Sequence, residues 1–272
     1  MFIADIGINH NGDINIAKEL IKQSKICGVD VVKFQKRNPD ICVPEDQKNI
    51  VKNTIFGTMK YIDYKKKIEF GKEEYDEIDR YCKEIGIRWT ASVWDIDSLN
   101  FLMNYDVPFI KIPSACITDF ELLKAINKTG KYVIISTGMS TMQEIQNAVK
   151  IFNNASDISI LQCNSSYPSN EYELDVAFIP KLKEIFGCSV GYSGHEIGYL
   201  PTLIARAAGA SIIERHITLD KTMKGTDHLA SLDIYDLKEC IQKLRYVDRI
   251  LGFPYKIVYD SEIPVKNKLR RF

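Results

Sequence analysis

The sequence predicts an α/β protein and, within that class, a closed (β/α)8 barrel. Three observations lead there. Short apolar runs, several rich in Val and Ile, alternate with stretches of helical period along the whole chain. There are eight such strand–helix pairs, which favours a closed barrel over a doubly wound open sheet. The length of 272 residues is close to the usual size of an α/β barrel.

The elements follow in order. Strands are predicted over 2–8, 29–35, 87–92, 107–113, 131–137, 158–163, 188–193 and 211–217. Their mostly apolar character suits strands covered on both faces. Helices are predicted near 15–28, 72–85, 95–104, 118–129, 140–153, 176–186, 197–208 and 234–251. Within 72–85, Tyr75, Ile78, Tyr81 and Ile85 recur at helical spacing. Gly28, Gly86, Gly130 and Gly209 fall where helical stretches end and a left-handed cap is useful. One irregular insertion interrupts the beat at 36–71, with Pro39, Pro44, Asn53 and Gly57. Loops this long are usually functional or mobile.

Composition narrows the function classes. Apolar residues make up 45% of the chain, enough for a sizeable core. The 36 basic residues balance the 36 acidic ones, which gives no global argument for a nucleic-acid partner and leaves a local anion pocket open. Cysteines stand at 27, 42, 82, 116, 163, 188 and 240, an odd number with no CxxC pair. Reduced thiols in a cytoplasmic protein are the simplest reading. Met1 leads straight into the strand-like Phe2-Ile3-Ala4 with no signal peptide ahead of it, and no apolar run approaches the ~20 residues that span a membrane.

In a barrel the chemistry sits at the C-terminal ends of the strands. Those ends carry Asp5, Asn9 and His10 on the first strand, and Lys33 and Gln35 on one face of the second. The next four carry Thr90 and Ser92, Lys111 and Ser114, Ser136 and Thr137, then Gln162, Asn164 and Ser165. The last two carry Ser193 with His195 and Glu214 with His216. Lysines and hydroxyls suit a phosphate or carboxylate, and imidazoles suit a transition metal. A phosphorylated substrate and a Mn2+- or Zn2+-like ion follow from that inventory.

Plainer readings stand beside these. Lys33 and Lys111 lie in apolar runs, where a buried lysine needs a partner; for Lys33 that partner is Asp5 or Glu214. Gln35 could satisfy backbone groups, and a lone His216 could be a core histidine. Tyr167-Pro168 reads as a loop-shaping pair with a substrate contact open to it. Lys65-Lys66-Lys67 reads as a solvated face, with a hold on a distal phosphate as the alternative. His10 and His228 belong to loop motifs that shape the site or touch substrate.

Several of these segments match a known family. Ile6-Gly7-Ile8-Asn9-His10-Asn11-Gly12, Lys33-Phe34-Gln35, Ser136-Thr137-Gly138-Met139 and Gly191-Tyr192-Ser193-Gly194-His195-Glu196 resemble the sialic acid synthase family. So do the runs Glu214 to Lys221 and Lys224 to Ser231. The resemblance implies condensation of phosphoenolpyruvate with N-acetylmannosamine, its 6-phosphate or a related amino sugar. It makes His195 and His216 ligands of a divalent metal, usually Mn2+, with Mg2+ or Co2+ as alternatives. Lys33, Ser92, Lys111, Ser114, Ser136, Ser165 and Ser193 match positions that hold phosphoenolpyruvate. Gln35, Tyr167 and Asp227 match positions that contact the sugar. Asp5 stands where the family usually has a catalytic glutamate.

The resemblance also implies a homodimer and a small C-terminal domain that lends an arginine to the partner's sugar site. The chain reads as one barrel domain over 1–272, with 255–272 as the start of a linker to a domain it does not carry. Three rivals remain at this stage. One is another phosphoenolpyruvate-dependent synthase of keto-deoxy sugar acids. Another is a metal-dependent hydrolase, which would leave Lys33 and Lys111 without a purpose. The third is a weakly active or regulatory barrel.

Overall fold

The computed structural model describes residues 1–152 and 157–271. Among them, eight parallel strands close into a barrel. In chain order these are β1 (Phe2–Gly7), β2 (Val31–Lys36), β5 (Arg88–Val93), β6 (Ile110–Ile112), β7 (Val133–Ser136), β8 (Ile158–Cys163), β9 (Ser189–Gly194) and β10 (Ile212–His216). Strands β3 (Val51–Thr54) and β4 (Gly57–Lys60) form a separate antiparallel hairpin. All eight predicted strands are present, and β1 closes the ring between β10 and β2. Helices follow each barrel strand, among them Ile14–Cys27, Lys72–Ile85 and Ile234–Leu251. The helix expected over 140–153 is Met142–Val149, and residue 153 lies outside the described residues.

Side chains alternate across each strand, and that alternation builds two cores. Residues pointing outward, such as Ala4, Val32, Ile135, Ile160 and Ile213, pack against the helices in one large cluster. Those pointing inward start with an apolar floor made by Ile3, Val31, Phe109, Ile134, Leu161 and Ile212. Two residues further along, the same inward faces carry Asp5, Lys33, Ser136, Cys163 and Glu214. The interior therefore changes from hydrocarbon to charge within one step of two residues, about 6–7 Å of strand.

Residues 36–71 are not the irregular loop that their prolines suggested. They hold short helices at Pro39–Cys42 and Glu45–Lys48, the β3–β4 hairpin, and a helix at Tyr61–Ile68. Ile8, Tyr64 and Ile68 form a small apolar cluster there, packed by Ile55, Phe56, Met59 and Tyr61. The strands are only four residues long and largely polar, so no periodicity announced them. The last turns of the chain, Asp260–Glu262 and Ile263–Leu269, lie exposed. No helix among the described residues is long and apolar enough to cross a membrane.

Candidate active site

Register places the charges. In β1, Asp5 pairs with Lys33 of β2 on one side and His216 of β10 on the other. Glu214 pairs with Ser193, Gln35 with Ser92, and Ser92 with Lys111. These neighbours line a pocket of about 160 Å³ at the C-terminal mouth of the barrel. Asp5, Lys33, Gln35, Ser92, Lys111, Ser114, Ser136, Ser165, Tyr167, Ser193, His195 and His216 all reach it, together with Trp94, Met139, Cys163 and Glu214. Asp227 does not line this pocket; it is buried in the loop after β10.

Lys33 donates to Asp5 Oδ2 at 2.6 Å and lies 3.9 Å from Glu214 Oε1. The salt bridge weighed as the plain reading of Lys33 is thus present, and it lies inside the pocket. Lys111 donates to Ser136 Oγ at 2.6 Å and lies 3.6 Å from the same Glu214 oxygen. Ser193 Oγ donates to Glu214 Oε1 at 3.1 Å. Glu214 is therefore the hub of the site. It was visible as a strand-end carboxylate two residues from His216, but only as a partner for Lys33.

The two lysines differ electrically. Burial pushes the Lys33 ammonium down, but Asp5 and Glu214 outweigh it and hold its pKa above the ordinary lysine value. Burial also pushes Lys111 down, and Glu214 offsets it only in part against the repulsion of Lys33, so Lys111 ends below the ordinary value. Glu214 is pushed up by burial, yet Lys111 and Lys33 hold it below the usual carboxylate range. Lys33 is thus a fixed cation, while Lys111 is the one more able to exchange a proton.

The imidazoles of His195 and His216 lie side by side, ring centres 5.5 Å apart. His195 Nδ1 is 2.6 Å from the Asn164 carbonyl oxygen. A carbonyl can only accept, so Nδ1 carries the proton and Nε2 presents its lone pair. That lone pair accepts from the Tyr167 hydroxyl at 2.9 Å. Burial, with His216 next, lowers the His195 pKa to about 3 and keeps the ring neutral. His216 Nε2 is 3.3 Å from Asp5 Oδ2, and its buried Nδ1 has no hydrogen-bond partner. Asp5 Oδ1 and Glu214 Oε2 are likewise buried without one.

Behind the imidazoles the motif residues hold each other. Arg215 Nη1 donates to Glu196 Oε1 at 2.7 Å and to Thr202 Oγ1 at 2.8 Å, and Tyr192 donates to Glu196 Oε2 at 2.8 Å. Gly138 presents its amide to Ser114 Oγ at 3.0 Å. A Cβ there would lie 2.1 Å from Ser165 Oγ, so only glycine lets the three meet.

The loop histidines stand apart. His10 stacks on Phe70 at 3.8 Å and accepts from the Gly12 amide, while His228 Nδ1 bonds Thr218 Oγ1. Both shape loops. The lysine run 65–67 is not a solvated face throughout: Lys66 pairs with Asp40, but Lys65 is only 7% exposed. Cys163, grouped in the sequence with the other cysteines as a buried thiol, lies 3.9 Å from His195 Nδ1.

The fold and the site together define a barrel protein of the enzyme type, with lysines, carboxylates and imidazoles gathered at its strand ends. The chain matches the NeuB family over residues 20–256 and belongs to it. It is an enzyme of the sialic acid synthase type. It is 37% identical to the N-acetylneuraminate-9-phosphate synthase of Homo sapiens, over 98% of this chain and 75% of that one. It is 34% identical to the N,N'-diacetyllegionaminic acid synthase of Legionella pneumophila, over 99% of this chain and 78% of that one. A crystal structure of N-acetylneuraminic acid synthetase from Leptospira borgpetersenii, in complex with citrate, superposes with a TM-score of 0.90 at 32% identity. The match covers 100% of this chain and 92% of that one.

Proposed function

We propose that the protein condenses phosphoenolpyruvate with an N-acylated amino sugar, giving a nine-carbon 2-keto-3-deoxy acid and inorganic phosphate. The observation that carries this reading is the convergence of Lys33, Lys111 and the hydroxyls of Ser136 and Ser193 on one pocket beside the imidazoles of His195 and His216. In the reaction, C3 of phosphoenolpyruvate bonds to the aldehyde carbon of the open-chain sugar. The aldehyde oxygen takes up a proton. Water adds at C2 and loses a proton, and phosphate then leaves with its bridging oxygen by C–O cleavage, which restores the 2-keto group. Lys33 offsets substrate charge throughout. Lys111, with its lowered pKa, is suited to give or take a proton at the bridging oxygen. Asp5 manages a proton at the sugar end, beside His216.

The residues fit a divalent ion of the Mn2+ type. His195 donates its Nδ1 proton to a carbonyl, the usual support of a metal-bound imidazole. His216 Nδ1 and Asp5 Oδ1 are buried without hydrogen-bond partners, where they could serve as metal ligands. No group of three or more His, Cys, Asp or Glu forms a ready cage among the described residues, so substrate or water would complete the shell. When bound, the ion would supply Lewis acidity toward the sugar carbonyl. Charge balance supports it as well: with Asp5 and Glu214 beside them, Lys33 and Lys111 can offset only part of the charge of an incoming phosphate.

The test is phosphate release from phosphoenolpyruvate, with and without Mn2+, across a panel of amino sugars. Release is expected only when both an amino sugar and the metal are present. Release without any sugar would instead mark a phosphatase.

A further inference from the structure

The insertion after β2 contributes two cations that the reaction above does not use. Arg37 is 8% exposed, and its buried Nε and Nη2 have no hydrogen-bond partner. Its guanidinium lies 5.3 Å from the ring centre of Trp94, which itself lines the substrate pocket. Lys65 is 7% exposed, and among the described residues its ammonium touches only the rings of Tyr61 and Tyr64, at 5.1 and 5.6 Å.

The two are neighbours. Glu69 holds Arg37 by its backbone amide at 3.1 Å and by Nε at 3.5 Å. Lys65 lies in the last turn of the helix Tyr61–Ile68, which Glu69 follows directly, and Arg37 is close enough to add to burial in lowering the Lys65 pKa. Glu69 is shared with Lys36, 3.1 Å away, so its single charge does not satisfy Arg37. Lys65 is not within ion-pair distance of any carboxylate among the described residues. Burial, with Arg37 beside it, lowers the Lys65 pKa to about 8. Burying Arg37 and Lys65 together, with only the shared carboxylate of Glu69 to answer them, is costly unless a ligand supplies more counter-charge.

Asp227 ties this corner to the pocket. Burial pushes its carboxyl up, but His216, the Thr226 hydroxyl, Lys65 and Arg37 together hold it below the ordinary value. It thus feels His216 from one direction and the two cations from the other. A groove lined by Tyr61, Tyr64, Lys52, Lys224 and Thr226 opens beside it.

We propose that Arg37 and Lys65 form a second anion site at the outer end of the substrate pocket, and that it holds the distal phosphate of a phosphorylated amino sugar. The preferred acceptor is then the sugar 6-phosphate. Arg37 offers the unpartnered Nη2 of its planar fork and Lys65 a point charge, the pairing that suits a phosphate dianion. This rests on the condensation reading of the same site.

The experiment compares kcat/KM for a panel of N-acylated amino sugars, each free and as its 6-phosphate, in the wild type, R37L and K65M. The ratio of phosphorylated to free sugar is the readout, because a folding defect lowers both and leaves the ratio alone. The wild type should prefer a 6-phosphate by about a hundredfold or more, and each variant should cut that ratio about ten- to a hundredfold. R37K should recover part of it. A wild-type ratio near one, or a large ratio that both variants leave intact, overturns the second site while the condensation stands. Silence with every sugar, joined to no binding of phosphoenolpyruvate by calorimetry, overturns the condensation and the second site with it.

Discussion

Arg215 Nη1 meets Glu196 Oε1 at 2.7 Å inside the barrel wall, with 0% and 3% of the two side chains exposed. Each partner is the immediate chain neighbour of an imidazole, Glu196 of His195 and Arg215 of His216. One ion pair thus ties β10 to the loop after β9 and fixes the separation of the two rings. Removing one partner leaves a buried charge uncompensated, at about 3–5 kcal/mol. E196A should therefore lower the unfolding free energy by that order. The milder E196Q should fold and bind Mn2+ about 10–100-fold more weakly. Denaturant unfolding and calorimetric metal titration measure the two effects. Unchanged values for both variants would show that the pair does not position the rings.

Asp5 bonds Lys33 at 2.6 Å and faces His216 at 3.3 Å. Its side chain is one methylene shorter than the glutamate that the family resemblance leads one to expect. D5E should therefore preserve or raise turnover, while D5N should lower kcat by about a hundredfold or more. Loss of activity in D5E, with the melting temperature intact, would remove Asp5 from the catalytic group.

The histidines predict an acid limit. His10 and His195 have pKa values of about 3 in the fold against 6.5 ordinarily, chiefly through burial, with Arg37 next for His10 and His216 for His195. The unfolded chain takes up protons near 6.5, whereas the folded one does not until near 3. Their stabilising contribution is complete above 6.5 and is lost as pH falls toward 3, at roughly 1.4 kcal/mol per pH unit for each ring. Melting temperature should already drop between pH 6.5 and 5, above the range in which carboxylates titrate. A flat profile across that window would contradict the neutral, buried assignment.

Gly138 packs tightly against the hydroxyls of Ser165 and Ser114. A methyl group there would lie 2.1 Å from Ser165 Oγ and 2.9 Å from Ser114 Oγ. G138A should keep the fold and lower kcat/KM for phosphoenolpyruvate by about a hundredfold. Near-wild-type kinetics would mean that Ser114 and Ser165 do not hold the substrate.

The strands were legible because short apolar runs recurring between helical stretches are a strong signal, and reading their last residues brought Asp5, Lys33, Lys111, His195 and His216 to one pocket. Glu214 shows the limit of that method. A strand-end carboxylate looks the same whether it satisfies one lysine or organises two, and only packing brings Lys33, Lys111 and Ser193 around it. Lys65 and Arg37 show another. In sequence they sit among charged residues and prolines, where exposure is the default. The helix that carries Lys65 is short, and the apolar cluster of Ile8, Tyr64 and Ile68 beside it joins distant parts of the chain.

The two-layer interior of the barrel has a thermodynamic consequence. Ile3, Val31 and Ile212 hold the floor together, while the layer above them is filled with desolvated charge that an apolar packing would outdo in stability. Unliganded protein is accordingly the loosest form of the molecule. Occupancy by metal and phosphoenolpyruvate should raise the melting temperature, as mass action requires of any ligand that binds only the folded state. Conversely, stabilising substitutions selected at the mouth of this barrel will tend to be those that abolish its chemistry.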